Sequence, residues 1–252
     1  MSDTYADVDA SADPAAAVQW QQDMATWPGI DAYKRRTRDL LSEAERILDV
    51  GCGPGDDLLA LGAQRCVGVD RSAAMCARAR ERGATVVQAD AEVLPFRDST
   101  FSGARSDRTL QHLADPVVAL QELLRVVQPG APLVVADPDQ ESLVIQVPGV
   151  RRSVLDRLKA LRRDLGYRNG RWISMAPSIL EHLGADVTSV EPFALIIRDP
   201  AEAFGLPTWP VRWKEAGGFS EEELAEWNRA MADRSPGFLY LLTFLVIAGR
   251  KR

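Results

Sequence analysis

Ile47-Leu48-Asp49-Val50-Gly51-Cys52-Gly53-Pro54-Gly55-Asp56-Asp57 is the stretch whose reading decides the fold. An apolar run that ends on an acid and breaks at once into glycines reads as a buried parallel strand followed by a tight turn. Residues without a Cβ in that turn let a ligand approach the backbone. The spacing is Gly-x-Gly-x-Gly. A dinucleotide fingerprint needs Gly-x-Gly-x-x-Gly, so a pyrophosphate cradle loses its main support, and no Lys-Ser or Lys-Thr pair follows to make a phosphate loop.

Two more strand ends carry acids. Val67-Gly68-Val69-Asp70 places a carboxylate nineteen positions past Gly51, where it can accept both hydroxyls of a ribose. Ala84-Thr85-Val86-Val87-Gln88 leads into Ala89-Asp90-Ala91-Glu92, at the place of an adenine amino group. A lone acid is more often a helix cap or a solvated loop residue. The order of three acids on successive strand ends is what points to a nucleoside. Further motifs are Leu94-Pro95-Phe96, Ser99-Thr100-Phe101, Leu110-Gln111-His112-Leu113-Ala114-Asp115-Pro116 and Leu123-Leu124-Arg125-Val126-Val127-Gln128-Pro129-Gly130. Together the set resembles the S-adenosylmethionine (SAM) site of class I methyltransferases, in the small-molecule branch related to the ubiquinone and menaquinone biosynthesis enzymes. The resemblance is specific from about residue 45 to residue 140.

The resemblance implies an α/β fold: a Rossmann-like seven-stranded sheet in the order 3-2-1-4-5-7-6, strand seven antiparallel, with helices on both faces and a helical lid. The expected organisation is one domain. Residues 1–44 form N-terminal helices, 45–140 the SAM core, and 141–252 a substrate-side half with a helical insert at about 200–233. Order is expected to begin only near Pro14, because residues 1–12 are small and acidic. The strands after the core are expected at Pro132–Ala136, Val187–Ile197 and Phe238–Ile247, with helices around Ser153–Leu165 and Ala176–Leu183. Ser72 is read as a helix cap, and Ser220-x-x-Glu223 as a capping box.

Composition narrows the function. At 252 residues and 46% hydrophobic the chain can bury a full core. A net charge of −6 offers no footprint for a nucleic-acid backbone. The basic clusters, Arg162-Arg163 among them, read as solvated helix faces. Cys52, Cys66 and Cys76 are odd in number and show no metal spacing, so a reduced, cytoplasmic chain is expected, with no metal. The apolar run Phe238–Ala248 is too short for a membrane span. The expected partner is a small-molecule acceptor, with neither nucleic acid nor membrane; monomer and homo-oligomer both stay open. All six tryptophans lie outside residues 45–150, either lining an apolar acceptor pocket or fixing peripheral helices to the sheet.

Ligands of open α/β sheets lie beyond the strands' carboxyl ends, where strand order reverses. The resemblance therefore implies SAM across Gly51, Gly53 and Gly55, with Asp49 at its amino end or holding a water, and Asp70 on the ribose. Arg71 would cover the adenine face, and Asp90, Ala91 and Glu92 would meet the adenine edge. Arg36, which shares a helix face with Tyr33 and Leu40, is the expected cation for the methionine carboxylate, with Lys34 and Arg35 as neighbouring alternatives. Arg108 would close over the methionine part or make a surface salt bridge. His112 is the candidate catalytic base where the acceptor must lose a proton, or else a packing residue; His182 reads as structural. Asp137, Asp139 and Glu141 are expected after strand five, at the rim of an acceptor pocket.

Overall fold

The structure is a computed structural model that describes residues 8–11, 13–232 and 237–252. Two helices come first, α1 (Pro14–Ala25) and α2 (Pro28–Asp39). Each opens on a proline, whose missing N–H is no loss in the first turn, and Asp13 caps α1 by accepting from Ala16 N at 3.0 Å. Strands and helices then alternate: β1 (Ile47–Val50), α3 (Asp56–Leu61), β2 (Cys66–Asp70), α4 (Ala73–Glu81), β3 (Val86–Gln88), β4 (Gly103–Asp107), α5 (Pro116–Val126) and β5 (Pro132–Gln146). The second half holds α6 (Arg152–Leu165), α7 (Trp172–His182), β6 (Ala185–Ile197), α8 (Trp209–Arg212), α9 (Lys214–Gly217), α10 (Glu221–Ala232) and β7 (Leu239–Lys251).

The sheet order is β3-β2-β1-β4-β5-β7-β6, as expected, with β7 antiparallel to both its neighbours. All four residues of β1 are buried because helices cover both faces, and its register sets Asp49 beside Gly68 on one side and Arg105 on the other. Ser72 caps α4 by accepting from Met75 N at 3.2 Å. The capping box of α10 is reciprocal: Glu223 N donates to Ser220 Oγ at 3.2 Å and Ser220 N to Glu223 Oε2 at 3.0 Å.

Three expectations need correction. β5 does not stop at Ala136; its antiparallel pairing with β7 carries it through Gln146 across an irregularity between Asp139 and Val144. Asp137, Asp139 and Glu141 therefore lie within the strand. Order also begins before Pro14. Val8 is buried against Ala17, Val18 and Met75, and Asp9 accepts from Ser72 Oγ, Ala73 N and Ala74 N at 2.6–3.2 Å, holding residues 8–11 on the N-terminus of α4. Residues 1–7 and 12 of that acidic stretch, and the end of the insert at 233, lie outside the described residues. Finally, Arg162 is buried rather than on a solvated face.

The insert packs on the β5–β7 half of the sheet, where Trp209, Trp213, Phe219 and Trp227 share one core with Tyr240 and Phe244. The indole N–H groups of Trp209 and Trp227 donate to Phe204 O and Pro207 O, which satisfies their polar ends inside the core. No described helix is long and apolar enough to cross a membrane.

Candidate active site

A cleft of about 960 Å³, including its mouth, opens at the carboxyl ends of β1, β2 and β4, where the strand order reverses. Its floor is the glycine turn. Gly51, Gly53 and Gly55 have φ of +75°, +53° and +84°, a region that other L residues rarely enter. A Cβ on Gly51 would sit 1.8 Å from Thr109 Oγ1, so the turn and the segment after β4 close on each other only because that position is glycine. Gly51 N and Cys52 N both donate to Val69 O, and Asp70 accepts from Gly53 N and Ser72 N, each at 2.9 Å. Asp70 thus braces the turn with one lone pair on each oxygen and faces the cleft. Burial raises its carboxyl above the usual range despite those two N–H groups.

Behind the turn lies a buried cluster of charges. Lys34 of α2 reaches Asp57 and lies 2.7 Å from Asp107 Oδ2; Arg105 lies 3.0 Å from each of the same two carboxylates and 3.5 Å from Asp49. Arg38 closes the set on Asp57 at 2.8 Å, and the Tyr33 hydroxyl donates to Asp107 at 3.1 Å. The Arg105 contacts are close but misaligned as hydrogen bonds, so they act as ion pairs. Burial raises Asp57 and Asp107, but for both the neighbouring cations outweigh it and hold the carboxyl below the ordinary range. Asp49 is different. Burial pushes it up to about 7, with Arg105 only partly offsetting the effect. A buried carboxyl so poorly compensated, lining the cleft beside the glycine turn, suits a ligand that brings a cationic group.

The structure brings most of the expected residues together. Asp49, Gly51, Gly53, Asp70, Arg71, Ala91, Arg108 and His112 all line the cleft, and Gly55 caps α3 immediately behind it. Arg108 stands at φ +54° and reaches up to α1, donating to Gln21 Oε1 at 2.8 Å. His112 ends a short 3-10 turn, Leu110–His112, with its ring 5.4 Å from that of Tyr167. Arg36 is placed elsewhere: its guanidinium is paired with Glu191 of β6 at 2.7 Å, outside the cleft wall. Lys34, one turn face away, is the α2 cation in that wall. Asp90 and Glu92 are also outside it. Asp90 is spent on Glu92 N and Glu92 on Asp115 N, at 3.0 and 2.9 Å. None of the six tryptophans lines the cleft, which favours their packing role. Asp137 is buried, accepts from the Trp172 indole at 2.9 Å, and is raised well above the usual range by burial. Among the described residues no group of three or more His, Cys, Asp or Glu is arranged to hold a metal.

A seven-stranded sheet in this order, with a glycine turn after β1 and an acid at the end of β2 facing one cleft, defines the class I SAM-dependent methyltransferase fold. Comparison with known proteins agrees. Residues 48–135 match the Methyltransferase domain family. An uncharacterized 37.1 kDa protein in transposon TN4556 of Streptomyces fradiae is 32% identical, over 92% of this chain and 70% of that one. A demethylmenaquinone methyltransferase of Mycobacterium marinum is 36% identical, over 60% of this chain and 68% of its own. Other named relatives match over 43–62% of their own lengths. The N-methyltransferase NodS of Bradyrhizobium japonicum, solved with S-adenosyl-L-homocysteine, shares the fold at a TM-score of 0.59 and 14% identity, covering 99% of this chain and 98% of NodS. The chain belongs to the class I SAM-dependent methyltransferases, and SAM is its cofactor.

The residues that sequence reasoning missed are Lys34, Asp57, Arg105 and Asp107 as one unit. Arg105 was the available signal, a charge in the middle of the short buried strand Gly103–Asp107.

Proposed function

We propose that the protein transfers the SAM methyl group to an oxygen, nitrogen or carbon atom of a small, apolar or aromatic metabolite. The observation that carries this reading is the cleft itself, with the glycine turn, Asp49 and Asp70 on one side and His112 on the other. Asp70 would hold the ribose, Arg71 and Ala91 the adenine, and Asp49 the ammonium end of the methionine moiety. Lys34 replaces Arg36 as the α2 cation nearest that moiety. When bound, SAM supplies the electrophilic methyl group and its own leaving group, so the chain's task is alignment and exclusion of water. Arg108, joined to α1, closes the cleft from above. His112 would take the proton from an acceptor that must lose one. The acidic chain supports a small acceptor over a nucleic acid.

Thermal shift with SAM, S-adenosylhomocysteine, NAD and NADP in parallel tests the cofactor part: stabilisation by the SAM pair alone is expected, and a shift with a dinucleotide alone overturns it. Incubation with SAM and a panel of phenols, quinols and amines tests transfer. Release of S-adenosylhomocysteine with a methylated product is expected. Conversion without it would mean a cyclisation or another non-methyl reaction, and tight SAM binding with no turnover on any acceptor would mean a SAM-binding subunit.

A further inference from the structure

Helix α6 turns one arginine into the protein. Arg162 is 6% exposed, whereas its neighbour Arg163 pairs with Asp164 on the outside. Among the described residues no carboxylate meets the Arg162 guanidinium. Its Nε donates to Gln140 Oε1 at 3.2 Å and its Nη2 to the Tyr167 hydroxyl at 2.8 Å, both neutral groups. Aromatic rings frame it: Trp209 at 4.4 Å, Tyr167 at 5.2 Å and Phe204 at 5.6 Å from the guanidinium carbon. Arginine cannot shed its proton, and contact with ring faces recovers only part of what a charge loses on leaving water. The other deeply buried cations, Lys34 and Arg105, each touch at least two carboxylates.

This cation is linked to the cleft wall through its neighbours. Gln140 also meets Gln111 at 3.3 Å, the residue before His112 in the cleft wall, and the Tyr167 ring is 5.4 Å from that of His112. Asn169, in the connection after α6, donates to Leu113 O at 2.7 Å and fixes the same turn. Arg162, Tyr167 and His112 thus form a line from α6 to the cleft wall. A guanidinium used only to join α6 to the insert would be inferior to an apolar side chain of similar size, which carries no desolvation cost.

We propose that Arg162 determines acceptor specificity by receiving a carboxylate of a small aromatic acceptor, whose ring packs beside Tyr167 and His112. The planar guanidinium fork matches a carboxylate, and the surrounding rings accept a flat molecule. The proposal rests on the methyltransferase reading of the cleft.

Calorimetric titration of the protein loaded with S-adenosylhomocysteine, using benzoate, 4-hydroxybenzoate and indole-3-acetate against their methyl esters, tests it. At least one acid should bind roughly 10- to 100-fold more tightly than its ester. Arg162→Gln should erase that preference while leaving S-adenosylhomocysteine affinity unchanged, and Arg162→Lys should keep part of it. Equal or absent binding in every acid and ester pair, or a preference that survives in Arg162→Gln, overturns the proposal. Should Arg162→Gln fail to fold, the wild-type comparison and Arg162→Lys still decide. Failure of S-adenosylhomocysteine to bind the wild type would instead sink the methyltransferase reading, since the acid preference can be measured without it.

Discussion

Lys34→Met removes the central cation of the buried cluster with little change of volume. The ammonium stands between Asp57 and Asp107, and its side chain is 7% exposed. Without it Asp49, Asp57 and Asp107 face Arg105 and, at the rim, Arg38 on Asp57 and Arg108 on Asp107 at 3.9 Å. Removing one partner of a buried pair costs about 3–5 kcal/mol. Two unit charges about 4 Å apart at an effective dielectric constant of about 20 give a similar figure, about 4 kcal/mol. That is a large share of the roughly 5–15 kcal/mol that holds a typical domain together.

The loss should depend on pH, with a definite sign. In the wild type Asp57 and Asp107 are held below the ordinary range, because Lys34 and the arginines outweigh burial. Their contribution is therefore present above the unfolded carboxyl pKa and lost only as pH falls through the lower folded value. Without Lys34 burial wins for one of them, so the folded variant holds a proton at neutral pH that the unfolded chain has released. Its stability must then fall, relative to wild type, as pH rises from about 4 to about 8. Urea unfolding followed by tryptophan fluorescence at about pH 5 and about pH 8 measures this, with the larger deficit expected at pH 8. Lys34→Met with Asp107→Asn should recover most of it, since Asp57 keeps Arg38 and Arg105. A deficit below about 1 kcal/mol at both pH values, or one equal in single and double variants, would refute the account.

Asp70→Ala should weaken S-adenosylhomocysteine binding by about 1–3 kcal/mol in calorimetry, through loss of a half-buried charged acceptor and of the brace on Gly53; unchanged affinity would remove the ribose assignment. Asp49→Asn should stabilise the ligand-free fold more at pH 8 than at pH 5 in urea titrations. A folded pKa of about 7 lies above the unfolded value, so this acid's burial costs stability progressively as pH rises between the two, and a pH-independent difference would count against it. Gly51→Ala should lower both melting temperature and S-adenosylhomocysteine affinity, because the new Cβ collides with Thr109 at a backbone angle suited to glycine; wild-type values for both would refute the close approach. His112→Ala should cut turnover roughly 10²–10⁴-fold with SAM affinity within a few-fold where it acts as the base, whereas near-normal turnover sinks the catalytic assignment.

What could be read from the sequence was whatever the chain states locally. The alternation from Ile47 to Ala136, the serine caps and the glycine turn depend on neighbours in sequence, and the structure contains them. The extension of β5 to Gln146 depends on β7, about a hundred residues later, and no pattern within β5 itself announces it. That Lys34 rather than Arg36 stands in the cleft wall was hidden for a related reason. The buried stripe of α2 is Ile30, Tyr33, Lys34 and Thr37, at helical spacing, so the period marks Lys34 as inward. A lysine there looks wrong until α3 and β4 supply Asp57 and Asp107.

Arg105 and Arg162 pose the same problem, each a charge on a face that folding buries. A buried cation implies a counter-charge, and the tertiary structure shows where that charge is found. For Lys34 and Arg105 it comes from the chain itself, in Asp57 and Asp107 behind the glycine turn. For Arg162 the described chain offers the Gln140 amide, the Tyr167 hydroxyl, the nearby Tyr240 hydroxyl and three ring faces but no carboxylate. In the proposal above the acceptor molecule supplies that charge, which makes the preference of acid over ester the measurement that separates a binding residue from a packing one.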